Sequence, residues 1–287
     1  MKYSQKRELA QKFRHKKLFP LFLILSGGII FYLVMFPNVG RLKTENPGKT
    51  SFMEYREREW EREGKKYRIQ QKWVSLSRIS PYLIKAVLIA EDDKFWSHEG
   101  FDYEALQKAI EKDIKSKKFK LGGSTISQQL AKNLYLSPSK NPIRKIREAI
   151  ITWRMERALT KKRILELYLN VAEWGDKGIF GIEVASRYYF GKSASELSAE
   201  EAARLASILP NPRKYNPLGD SRYVTHRSNL IYSIMVRRGI VVPEYEEVIG
   251  EEKGSDITPE SKSPPESPIE TPAEVPGTKR INNPERR

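Results

Sequence analysis

Residues 18–36 read LFPLFLILSGGIIFYLVMF, nineteen consecutive positions without a charge. A helix needs about 20 apolar residues to cross the hydrocarbon core of a bilayer, so this run predicts one transmembrane helix over 18–37. Pro20 and the Gly27-Gly28 pair are tolerated inside a membrane-spanning helix, and Tyr32 and the flanking basic residues suit the interfaces. Residues 1–17 carry seven Lys/Arg against one Glu. The positive-inside rule therefore keeps the N-terminus cytoplasmic and sends everything after Phe36 across. A cleaved signal peptide is the other reading, although MFPNVG lacks the small-x-small pattern of a cleavage site. On either reading the remaining chain is extracytoplasmic.

Charge narrows the partners further. The formal net charge is +16, and residues 103–163 hold sixteen Lys/Arg against five Asp/Glu. Such a block is a candidate surface for phosphate, nucleic acid or anionic lipid, or a set of solvated helix faces. Beyond a membrane, nucleic acid loses ground to an anionic lipid or envelope substrate. The absence of cysteine excludes disulfides and thiolate zinc sites. From Glu244 onward the chain is acidic, eleven Asp/Glu against six Lys/Arg, and seven prolines follow Gly254. Residues 246–287 are too poor in large apolar side chains to bury a core, which predicts a disordered tail.

Between these ends the helix signals are regular. Residues 38–69 read as a polar linker or a charged amphipathic helix around EYREREWEREGKKYR. In SRISPYLIKAVLIAED, Ser80 is placed to cap a helix with Pro81 at its first position. GGSTISQQLAKNLYL opens a helix with Ser124 as the expected cap. NPIRKIREAIITWRMERAL and TKKRILELYLN give two more, the second capped by Thr160. Ser198 and Glu201 form a capping box, and a last helix ends at Gly239. The domain over 70–245 is predicted to be mainly α.

Three constellations could carry chemistry. In the first, IAEDDKFWSHEGFD, Glu91 follows Ile84, Val87 and Leu88 on one helical face and closes the helix. Burial and the negative end of the helix dipole both disfavour its charged form, as a general base near neutral pH requires; pointing to water is the alternative. Asp92 and Asp93 fall on other faces. His98 and Asp102 follow in a loop with Gly100. They are candidate metal ligands or scaffold residues, and their spacing matches no helix-borne zinc pattern.

The second constellation is GGSTISQQLAKN. Its glycines permit close backbone approach, its helix N-terminus favours an anion, and Gln128, Gln129 and Lys132 supply polar side chains. The order of a phosphate-binding P-loop is absent. The third is RKIRE, where Arg144, Lys145 and Arg147 surround Glu148. One carboxylate in an apolar setting and another among cations is a pattern of divided catalytic roles. A salt-bridge ladder within the helix is the alternative. SPSK, Ser137 to Lys140, has the S-x-x-K form of a transpeptidase nucleophile, but no partner motifs follow and Pro138 and Pro142 argue for a loop.

At these residues the chain resembles the peptidoglycan glycosyltransferases of family 51. EDDKFWSHEGFD is similar to that family's first motif, GGSTISQQLAKN to the second with Ser127 where Thr is usual, RKIRE to the third and KKRILELYLN to the fourth. GIFGIEVASRYYFGKSASELSAEEAARLASILPNP resembles the remainder, over about residues 70–220. With an anchor and no transpeptidase region, the chain resembles the monofunctional biosynthetic type of diderm bacteria, placed in the inner membrane with a periplasmic catalytic domain.

The resemblance implies a lysozyme-like fold and polymerisation of lipid II into glycan strands. It implies Glu91 as base and Glu148 as second catalytic carboxylate. Ser124, Gln128, Gln129, Lys132, Asn133, Arg144 and Lys145 would hold the sugar diphosphate, and Asp92, Phe95, His98, Gly100 and Asp102 would shape the cleft. A divalent cation, Mg or Mn, is expected with the substrate diphosphate rather than in a protein cage. Phe119 and Leu121 in KKFKL are expected to meet the bilayer. Implied partners are lipid II, the growing glycan strand and the membrane, with other cell-wall synthesis and division proteins as further candidates; nucleic acid is not among them. A glycan-cleaving lysozyme relative and an inactive envelope scaffold remain the alternatives.

Overall fold

The computed structural model describes residues 36–116, 123–138 and 141–241, together with the isolated positions 20, 23 and 26–28. Most of the apolar run 18–36, the KKFKL segment with Phe119 and Leu121, and the acidic tail lie outside the described residues. Among the described residues no helix is long and apolar enough to cross a membrane.

The described chain is mainly helical. A 3-10 turn, Val39–Lys43, leads into α1 (Ser51–Arg62), capped by the Thr50 hydroxyl, which accepts from the Met53 N–H at 3.2 Å. A two-residue strand β1 (Gln70–Gln71) precedes α2 (Pro81–Glu91) and α3 (Tyr103–Ser116). Then come α4 (Ile126–Tyr135), α5 (Pro142–Ala158), α6 (Lys161–Val171), strand β2 (Ile179–Phe180), α7 (Ile182–Phe190), α8 (Ala199–Ile208) and α9 (Arg222–Arg237). β1 and β2 pair in parallel, Gln70 opposite Ile179 and Gln71 opposite Phe180.

The order of packing positions the cleft. α8 packs against both α2 and α9, while α4 packs against α5 and α6. Leu83 and Val87 of α2, Ile126 and Leu130 of α4, Ile164 and Leu165 of α6 and Leu205 of α8 are fully buried in one continuous core. Removing that apolar area from water is the main force holding the helices in register. The last turn of α2 thereby faces the first two turns of α4.

One expectation changes. Thr125, not Ser124, caps α4: its hydroxyl accepts from the Gln128 N–H at 3.2 Å, and Gln128 Oε1 accepts from the Thr125 N–H at 3.0 Å. Both residue types cap well, and the reciprocal partner at the third helical position decides between them. The segment read as a polar linker or a charged amphipathic helix carries the helix α1, whose Phe52, Met53 and Trp60 are buried with Phe180. Only its outer face is solvated.

Candidate active site

Glu91 is the last residue of α2, where the helix end leaves carbonyls unpaired. Its side chain is 10% exposed. The Gln129 amide donates to Glu91 Oε2 at 2.8 Å, and Gln129 Oε1 accepts from the Tyr168 hydroxyl at 3.2 Å. Glu91 Oε1 is buried without a hydrogen-bond partner, with Arg227 Nη2 3.8 Å away. Burial pushes the Glu91 carboxyl above its ordinary range, and Gln129, Arg227 and Lys132 only partly oppose this. Complete burial likewise holds the Tyr168 phenol neutral, well above its usual range.

The following loop is scaffolding. Asp92 Oδ1 lies 2.9 Å from His98 Nε2, and Asp92 Oδ2 accepts from the Ile126 N–H at 2.9 Å. His98 Nδ1 accepts from the Gly100 N–H at 3.1 Å, so the neutral tautomer with Nε2–H facing Asp92 satisfies both contacts. The Thr125 hydroxyl donates to the Gly100 carbonyl at 2.7 Å. Gly100 has φ +91°, and a Cβ there would lie 2.9 Å from carbons of Glu156 and Thr152. Phe95 is fully buried with the Lys161 ammonium 4.6 Å from its ring centre. Asp102 caps α3 through the Ala105 N–H at 2.9 Å. The loop is thus riveted to the start of α4, the helix that presents Gln129 and Lys132.

The second carboxylate lies on α5. Glu148 is 3% exposed and pairs with both Arg144 and Lys145. These are contacts within one helix, as the ladder reading expects, yet Lys145 also reaches the Ser124 hydroxyl at 3.3 Å, twenty-one residues away. The Lys132 ammonium has no ion-pair partner within 4 Å among the described residues. Burial pushes it below its ordinary value, with Glu148 the strongest opposing charge and Glu91 a weaker one. Lys132 is therefore a desolvated cation near both carboxylates, suited to a multiply charged anion.

Two hollows share Gln129 and Pro210 in their walls. The larger, about 480 Å³, is lined by Glu91, Asp92, Ser124 and Arg227 among others; the smaller, about 190 Å³, by Lys132, Asn133, Tyr168 and Arg213 among others. The smaller is walled in part by α1, since Phe52 and Arg56 line it. Arg56 grips Glu173 through Nε at 2.9 Å and Nη2 at 2.8 Å. Gln128, expected to hold substrate, commits its carbonyl oxygen to the cap of α4.

The transglycosylase family model matches residues 58–236. The chain belongs to the transglycosylase family. Three relatives bear the name biosynthetic peptidoglycan transglycosylase. That of Dechloromonas aromatica is 53% identical over 171 residues, 60% of this chain and 74% of its own. That of Nitrosospira multiformis is 46% identical over 195 residues, 68% of this chain and 84% of its own. That of Aromatoleum aromaticum is 46% identical over 217 residues, 74% of this chain and 94% of its own.

This transglycosylase domain offers no cage for a metal: among the described residues no group of three or more His, Asp or Glu gathers as ligands. The Asp92 carboxylate is spent on His98 and Ile126, and Glu148 on Arg144 and Lys145. Three members of the transglycosylase cleft are not among the expected site residues; Tyr168 and Pro210 lie inside the motif-like stretches KKRILELYLN and ASILPNP, and Arg227 lies outside all of them. Arg227, Tyr168 and Pro210 come from α9, α6 and the turn after α8. Only tertiary packing brings them to Glu91.

Proposed function

We infer that the protein is a biosynthetic peptidoglycan glycosyltransferase that polymerises lipid II into glycan strands. The observation that carries this reading is the desolvated Glu91 with one oxygen unbonded, coupled by charge to the desolvated Lys132, which in turn feels Glu148, Arg144 and Lys145. The 4-hydroxyl of the acceptor sugar gives its proton to Glu91 Oε1 as its oxygen attacks C1 of the donor sugar. The bond from C1 to the lipid diphosphate breaks, its electron pair leaves with the phosphate, and the α-linkage inverts to β. Lys132, Arg144 and Lys145 take up the charge of the departing diphosphate, an electrostatic role worth several kcal/mol in such sites. Glu148 keeps Arg144 and Lys145 in place beside it. Any Mg or Mn would enter with the diphosphate.

The domain is read as lysozyme-like and as working at the periplasmic face of the inner membrane. The uncharged run 18–36 supports a single anchor. Phe36, at its end, lies 5.9 Å beneath the Arg154 guanidinium of α5. On that helix Ile143, Ile146, Ile150 and Trp153 are exposed at helical spacing. An apolar stripe beside the end of an apolar run suits a lipid surface.

Polymerisation of labelled lipid II by the detergent-solubilised full chain tests the reading. Glycan strands are expected. Degradation of preformed glycan without polymerisation would favour a hydrolase, and neither activity would favour a scaffold.

A further inference from the structure

We propose that Arg227 of α9 is a positioning residue for polymerisation, setting the orientation and charge environment of Glu91. The inference rests on Glu91 being the base.

Arg227 is anchored where it counts. Its Nη2 donates to the Ala90 carbonyl at 3.0 Å, on the last turn of α2, and lies 3.8 Å from Glu91 Oε1. The first contact ties the guanidinium to the residue before the base. The second is a charge contact too long for a hydrogen bond. The contrast with Arg56 and Glu173, bonded twice at 2.8–2.9 Å, is instructive. A pair made that tightly would occupy both oxygens of the acid. Here Gln129 holds Oε2, and Arg227 sits by Oε1 without occupying it. That oxygen stays open to a proton while a cation supports its charge. The Arg227 Nε–H is itself buried and unpaired, a costly state that a residue serving only to staple two helices would not keep.

The other groups acting on Glu91 are few. Lys132 approaches from α4, Asp92 follows in the chain, and the neutral Tyr168 hydroxyl stands behind Gln129 from α6. Against the burial that pushes Glu91 upward, Gln129 is the strongest opposing influence, and Arg227 outweighs Lys132 among the charges.

The test is the pH profile of kcat/KM for lipid II polymerisation by the solubilised full chain, as wild type, Arg227→Gln, Arg227→Lys and Glu91→Gln. Arg227→Gln should move the acid limb to higher pH by about one unit, so that below the limb the rate falls about tenfold. KM should change little, and Arg227→Lys should return the limb towards its wild-type position. A uniform loss at every pH, or an unchanged profile, overturns the proposal. If Arg227→Gln does not fold, the lysine variant decides. A wild-type limb supports the charge role, and a limb displaced as far as one unit contradicts it. Normal activity in Glu91→Gln would instead overturn the assignment of the base, whatever the Arg227 variants do.

Discussion

Gln129 donates its amide to Glu91 at 2.8 Å while its own oxygen accepts from Tyr168 at 3.2 Å. One side chain thus ties the end of α2 to α6 through α4 and fixes which oxygen of Glu91 remains open. A hydrogen bond to a charged group contributes about 1.5–3 kcal/mol. Gln129→Leu should therefore lower the polymerisation rate about 10- to 100-fold and move its acid limb upward, because burial of Glu91 would be less opposed. Tyr168→Phe should act in the same direction and less. A Gln129→Leu enzyme with wild-type rate and pH profile would remove Gln129 from this role.

Glu91 also makes a stability prediction. Its carboxyl is raised in the folded chain, so the folded state holds that proton more tightly than the unfolded state does. The stabilising effect of the bound proton is complete below the ordinary carboxylate pKa. It is lost as pH rises from there to the raised value, and above that value the buried charge is a full cost. Glu91→Gln should therefore abolish activity while leaving the melting temperature at neutral pH unchanged or raised by about 2–4 °C. A clear fall in melting temperature would show that the charge stabilises the fold.

The sequence marks Glu91 by helical phase because phase is local: Ile84, Val87 and Leu88 share its face over two turns. The caps Ser198–Glu201 and Thr160 are legible for the same reason. The Ser124 cap misses by one residue, because two good caps stand side by side and the glutamine partner chooses Thr125. The sequence leaves α1 open between a linker and a charged helix, and its composition hides the face that is buried. Most of its residues are charged, and Phe52, Met53 and Trp60 become core only against Phe180, more than a hundred residues away. Arg227 is illegible for a related reason, since a lone arginine on a basic helix differs from its neighbours only in what α9 packs against. His98, a candidate metal ligand by residue type, is resolved by its two hydrogen bonds into a link between Asp92 and Gly100.

Trp60 tests whether α1 belongs to the folded domain. It is 1% exposed and meets Tyr67 edge-on at 5.7 Å between ring centres. Trp60→Ala should cost about 3–5 kcal/mol in chemical denaturation. A loss under about 0.5 kcal/mol, as for a surface position, would show that α1 is not part of the folded core.

Lys132 tests the diphosphate role. Removing its half-buried ammonium should reduce turnover about 10²- to 10³-fold, the scale for one preorganised electrostatic partner. The fold should be retained, because Lys132 makes no ion pair among the described residues. Lys132→Ala with undiminished turnover would show that the leaving group is neutralised elsewhere.

Whether Glu91 removes the proton in glycan polymerisation is decided by one comparison. Labelled lipid II is given to detergent-solubilised wild type and to Glu91→Gln at equal concentration, and polymer is measured on a gel. If Glu91 is the base, wild type gives glycan strands and Glu91→Gln none above background. Strands of normal yield from Glu91→Gln would contradict it.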